Sequence, residues 1–167
     1  EIKGNILLKN ISLTYEDKNI LKNVSFGVKA GSKTAIIGPT AAGKSQLLYL
    51  LTNLIAPDSG TLKLDGVQID QYTSKTLYNN MGLVFQDSVI FNMTLRENIA
   101  FSDSVTEASL QKAIETAELS NFIELLPNKL DTMVSERGNS LSGGQKQRIM
   151  LARALTLNPK ILLLDDF

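Results

Sequence analysis

The sequence contains no cysteine and no histidine. Lack of cysteine rules out a disulfide framework and a thiolate metal site, and so permits a reducing compartment. Lack of histidine removes the commonest general base and metal ligand. Neither sign of charge is in excess, with 17 Lys and Arg against 17 Asp and Glu, so the totals argue for neither a nucleic-acid partner nor an acidic surface. No apolar run approaches the roughly 20 residues of a membrane helix, and nothing reads as a signal peptide. The chain opens at Glu1 rather than methionine, from which an upstream segment is expected. What remains is 167 residues, 43% hydrophobic and 20% charged, one domain's worth of core with ordinary globular composition.

The first third reads as strands. "NILLKNISLTY" is rich in Ile, Leu and Tyr, "VSFGV" alternates, and "KTAIIG" is a compact apolar run ending in glycine. "AGKSQLLYLLTNL" reads as a helix with Leu47, Leu48, Leu51 and Leu54 on one face, broken by "PDSG". "TLKLDGVQI" is a hairpin about Asp65-Gly66, a dipeptide that accepts positive φ, and "GLVFQ" is a further short strand. From Thr94 to Leu126 the texture is helical, with Ser104 and Glu107 in a capping-box pattern. Pro127 ends that stretch and "SERGNSLSGG" is loop-like. "GQKQRIMLARAL" is helical again, and Asn158-Pro159 stops it before the closing strand. This order predicts an α/β core with a helical insertion.

"GPTAAGKS", Gly38 to Ser45, fits G-x-x-x-x-G-K-[ST] between a strand and a helix. Backbone N–H groups in such a loop form a concave anion site, and the helix start adds its positive dipole end. The predicted phosphate cradle is Gly38, Pro39, Thr40, Ala41, Ala42, Gly43, Lys44, Ser45 and Gln46. Lys44 would reach the β- and γ-phosphates, and Ser45 would give its hydroxyl to Mg²⁺. Asp165, at the tip of a strand apolar on both faces, is placed to hold the Mg²⁺ shell through water. Alone it would be read as a strand cap; the loop upstream changes that. Asp65 and Asp70, with no buried strand behind them, read as solvated. In "LSGGQ", Ser142 is a candidate N-cap, and Gly143, Gly144 and Gln145 follow it into a second phosphate-sized nest. The alternative is a capped helix start with a flexible lead. One chain would then hold two anion-binding helix starts and one evident nucleotide.

A phosphate loop, the glutamine stretch "VFQD", "LSGGQ" and "ILLLD", in that order, resemble the nucleotide-binding domain of ATP-binding cassette (ABC) proteins over essentially the whole chain. "IFNMTLRENIAF" and "LPNKLDTMVSERGNSLSGGQKQR" resemble the exporter branch. The resemblance implies an α/β fold: a P-loop NTPase (RecA-like) core with an N-terminal antiparallel β subdomain and an inserted helical subdomain. The core would occupy residues 1–86 and 159–167, and the helical signature subdomain 87–158. It also implies ATP and Mg²⁺, and a second such domain packed head to tail, as a homo- or heterodimer. The signature of one domain then covers the ATP of the other, which accounts for the two helix starts. A transmembrane domain fused upstream, a place at the cytoplasmic face of the cell membrane and no nucleic-acid partner complete the implication. By position, Tyr15 matches the aromatic that stacks on adenine; the alternative is a tyrosine packed in the core. Gln86 matches the glutamine that touches Mg²⁺ and the attacking water and senses the membrane domain. Ser142 and Gly144 match contacts to the partner's γ-phosphate. Glu136 and Arg137 match the exporter element near the coupling helices, against the alternative of a solvated ion pair.

Asp166 stands where the resemblance expects Glu, the residue that polarises the attacking water; with Gln86 and Lys44 it makes up the expected catalytic set. Asp reaches roughly 1 Å less far, and a misplacement of that size costs about 100-fold in rate. The expectation is therefore tight ATP binding with slow hydrolysis, as in the degenerate half of a heteromeric exporter. A homodimer in which Asp suffices stays open. Ala41 and Gln46 replace the more usual Gly and Ser or Thr, and should weaken binding without abolishing it. The family's aspartate-containing loop and switch histidine lie beyond Phe167, so the chain as given should be a weak ATPase. Two other functions stay open: a regulatory ATP-binding module gating a channel, and a soluble non-transport ABC ATPase. "VSERG", "LRENIAF" and the balanced charge speak against the last.

Overall fold

The computed structural model describes residues 1–87, 89–135 and 141–166. The chain forms two compact units, Glu1–Met81 and Gly82–Phe167.

The first unit is built on an antiparallel sheet of order β2-β1-β3-β4, with β1 at Ile6–Tyr15, β2 at Lys18–Val28, β3 at Ser59–Leu64 and β4 at Val67–Gln68. Along β1 the inward residues are Ile6, Leu8, Ile11 and Leu13. The odd step from Leu8 to Ile11 breaks the two-residue period, and the register of β1 against β2 shifts there. Asn10 takes φ 54 at this irregularity, so an extra residue re-phases the strand and both sides of it face the core. Gly60 on β3 lies against the same place: a Cβ there would stand 2.4 Å from the Asn10 carbonyl oxygen. The predicted hairpin forms, with Leu64 opposite Val67 and positive φ at both Asp65 and Gly66, the pattern of a two-residue primed turn.

Asp65 is not merely solvated. Its carboxylate accepts from the backbone N–H groups of Lys3, Gly4 and Asn5 at 2.7, 3.1 and 2.9 Å, and from Asn5 Nδ2 at 2.9 Å. An Asx residue in a turn has its short carboxylate close to the backbone, and here that reach ties down the chain start.

The run 33–38, expected as a strand, is not one among the described residues, and Ile37 is 93% exposed. No described strand offers it a ladder, and an extended segment is a strand only where its N–H and C=O groups find partners. Helix α1, Lys44–Leu51, buries Leu47, Leu48, Leu50 and Leu51. Leu54 falls beyond its end and is half exposed, so the apolar face is shorter than the sequence suggests. Helix α2, Ser74–Asn80, is capped by Thr73 and buries Leu77.

In the second unit β5, Met81–Val84, pairs with β8, Ile161–Leu164, while β6, Met93–Thr94, pairs with β7, Met133–Val134. Helices α3 (Leu95–Ile99), α4 (Glu107–Thr116), α5 (Ser120–Glu124) and α6 (Gly143–Leu155) follow the predicted helical texture. Leu95, Ile99, Leu110, Ile114, Leu119 and Ile149 make their shared core. The capping box before α4 lies two residues later than Ser104 and Glu107 suggest. Thr106 accepts from Ser109 N, and Ser109 Oγ accepts from Thr106 N, both at 3.1 Å. Glu107 instead meets Arg96 at 2.6 Å. β8 was expected to be apolar on two buried faces, yet Leu162 and Leu164 are about two-fifths exposed while Ile161 and Leu163 are buried. Alternation along the pleat gives one covered face and one open face. No helix among the described residues is long and apolar enough to cross a membrane.

Candidate functional site

In the first unit the loop 38–43 enters α1 through two left-handed residues, Ala41 at φ 64 and Gly43 at φ 86. Glycine is required at 43, since a Cβ there would stand 2.7 Å from Ile20 Cγ2 and 2.9 Å from Leu21 Cδ2. Ala41 takes the same kind of backbone with a Cβ present, at a cost of about 1 kcal/mol. No side chain caps α1, so the first-turn N–H groups, which lack intrahelical partners, are left for a ligand. Lys44 folds back along the loop, donating from Nζ to the carbonyl oxygens of Gly38 at 3.0 Å and Pro39 at 2.8 Å. The cation therefore stands over the loop it would serve. Ser45 and Gln46 lie in the first turn of α1. Tyr15 ends β1 and is 63% exposed, so its ring is not packed in a core.

In the second unit the amide of Asp165 donates to the carbonyl oxygen of Val84 at 3.0 Å, fixing the tip of β8 beside the end of β5. Asp165 is buried, and its Oδ2 has no hydrogen-bond partner among the described residues. A buried, unpaired carboxylate oxygen calls for a cation or water, so the residue fits a hard, oxygen-seeking ion such as Mg²⁺. Among the described residues no three acids cluster as a self-sufficient metal cage. Gln86 and Asp166 meet: Gln86 Nε2 donates to Asp166 Oδ2 at 3.1 Å.

Ser142 caps α6 as anticipated. Its Oγ accepts from Gln145 N at 3.2 Å, while the Gln145 side chain accepts from Ser142 N at 2.8 Å, a complete capping box. Among the described residues nothing lies within 4 Å of a Cβ built on Gly143 or Gly144. Glu136 and Arg137 lie outside the described residues.

Sequence reasoning passed over one cluster. Arg153, near the far end of α6, donates from Nε to Asn98 O at 2.6 Å and from Nη1 to Val89 O at 3.1 Å. Its guanidinium sits over the rings of Phe91 and Phe101, 5.5 and 5.1 Å from their centres. Burial lowers its pKa from the usual arginine value. Asn98 is fully buried; its Oδ1 accepts from Phe91 N, and its Nδ2 faces the carbonyl oxygens of Phe91, Met93 and Thr94. The signal of this cluster in the sequence is a polar residue, Asn98, inside a helical apolar pattern.

The ABC transporter family matches residues 21–167. YknU, an uncharacterised ABC transporter ATP-binding protein of Bacillus subtilis, is 45% identical over 99% of this chain and 29% of its own length. An ATP-dependent lipid A-core flippase of Photobacterium profundum is 42% identical, over 99% of this chain and 29% of the relative. Among solved structures, that of a bacterial Atm1-family ABC exporter with ATP bound superposes with a TM-score of 0.91 at 42% identity, covering 98% of this chain and 29% of the other. The chain thus spans under a third of the length of these relatives.

Proposed function

The chain belongs to the ABC transporter family, and on that premise we propose that it is the ATP-binding and ATP-hydrolysing motor domain of an exporter. Its fold is accordingly that of a P-loop NTPase with an antiparallel β subdomain. In this reading the first-turn amides of α1 and Lys44 bind the β- and γ-phosphates, and Tyr15 offers its exposed ring to the base. Ser45 in the first unit, and Asp165 and Gln86 in the second, are the residues that would ligate Mg²⁺, an ion that would neutralise charge on the phosphate oxygens. Asp166 orients the attacking water.

The open start of α6 carries the reading of a shared site. Its capping box satisfies the Gln145 amide internally, and among the described residues no side chain or backbone closes on Gly143 or Gly144. An uncovered nest with a positive dipole end suits a phosphate brought by another molecule. The second molecule is another nucleotide-binding domain, arranged head to tail, and ATP–Mg closes the pair. The partner of this chain is a homologue with a full-length acid, so that Asp166 marks the slow site of a heterodimer. A transmembrane domain in the same polypeptide places the pair at the cytoplasmic face of the membrane.

The absence of cysteine gives a clean background for a test. Thr40→Cys in this chain and a single cysteine placed at the start of the signature helix of its partner domain, mixed and oxidised, should form a disulfide-linked dimer with ATP–Mg and little without it. Equal cross-linking in the two conditions contradicts ATP-driven head-to-tail closure.

A further inference from the structure

β5 and β8 stop level with each other, because the Asp165 amide donates to the Val84 carbonyl. Neighbouring strands that end together bring the residues just beyond their ends into reach. Gln86 is two residues past Val84 and Asp166 two past Leu164, and their side chains are joined at 3.1 Å although 80 positions separate them. Asp166 takes φ 49, a left-handed backbone that Asp enters more readily than most side-chained residues. The adjacent acid is treated differently: Asp165 keeps a buried oxygen without a partner among the described residues, whereas Asp166 has an oxygen held by an amide.

We propose that Gln86 is a positioning residue for Asp166. Its long amide reaches the short acid and holds that carboxylate at the tip of the β5–β8 pair, so the two side-chain lengths are matched. The functional meaning rests on the motor reading, in which this carboxylate addresses the attacking water. The acid stays a methylene short of the water, and this contact fixes where its carboxylate points without closing that gap.

Two measurements test the pairing. In ¹⁵N–¹H spectra of this chain, the Gln86 side-chain NH₂ signals, identified by their loss in Gln86→Leu, should move on Asp166→Ala. Unmoved signals overturn the contact. In single-turnover hydrolysis by the full-length protein, Gln86→Asn should cost about tenfold more with Asp166 than with Asp166→Glu, a coupling expected of residues in contact. Asn with Glu restores the summed length that Gln has with Asp, whereas a residue important only for folding loses the same factor in both backgrounds. Equal factors overturn the positioning role, and so does a spectral response without turnover in any of the four proteins. Failure of the motor reading shows itself elsewhere, as ATP–Mg binding that survives Lys44→Ala.

Discussion

Replacing Arg153 by Met should destabilise the protein substantially, because one cation joins the last turn of α6, the segment after β5 and the end of α3. The substitution keeps most of the apolar stem but removes donors to Asn98 O, Val89 O and Asn98 Oδ1 at 2.6, 3.1 and 3.3 Å. It also removes the cation above Phe91 and Phe101. A hydrogen bond from a charged donor contributes about 1.5–3 kcal/mol, and a partly exposed cation–π contact about 0.5–1 kcal/mol. Loss of a charge whose burial is unfavourable, as the lowered pKa of Arg153 indicates, returns part of this. A net loss of about 2–4 kcal/mol follows, a large share of the roughly 5–15 kcal/mol that holds a domain together. Urea unfolding followed by circular dichroism reads it as a lower midpoint at unchanged slope. Arg153→Lys should recover less than half, because an ammonium lacks the fork that bridges Val89 and Asn98. A Met variant within about 0.5 kcal/mol of the parent, the range of ordinary surface changes, would refute the reasoning.

Asp65 has its pKa lowered to about 2, against the unfavourable effect of burial, by its bonds to Asn5, Gly4 and Lys3. Its stabilisation is therefore complete above the ordinary carboxylate value near 4 and disappears as pH falls through about 2. Solvent screening leaves roughly 1 kcal/mol of it, so Asp65→Asn should lower stability at pH 7 and make little difference at pH 2, as thermal unfolding at both pH values checks. Asp166→Glu in the full-length protein should raise the single-turnover rate by up to about 100-fold; no gain would end the slow-site reading.

Much of the site was legible because its chemistry is local in sequence. "GPTAAGKS" and "LSGGQ" each carry their own glycines, helix start and polar group, so the open start of α1 and the Ser142 box follow from a few adjacent residues. What was illegible depends on distant partners. Whether 33–38 forms a strand depends on its neighbours in a sheet, which its own apolar run does not encode. The Gln86–Asp166 bond and the Asp65 clasp join residues 80 and about 60 positions apart. The capping box of α4 is ambiguous in sequence because Ser104, Thr106, Glu107 and Ser109 offer competing caps within six residues. The structure selects the pair that leaves Glu107 free to meet Arg96.

The claim on which the functional account stands is that the start of α1 and Lys44 bind a magnesium-bound triphosphate. Titration calorimetry of ATP–Mg into this chain and into Lys44→Ala measures it directly. Loss of a charge-assisted contact should weaken binding by about 30-fold or more; an unchanged dissociation constant would contradict the account.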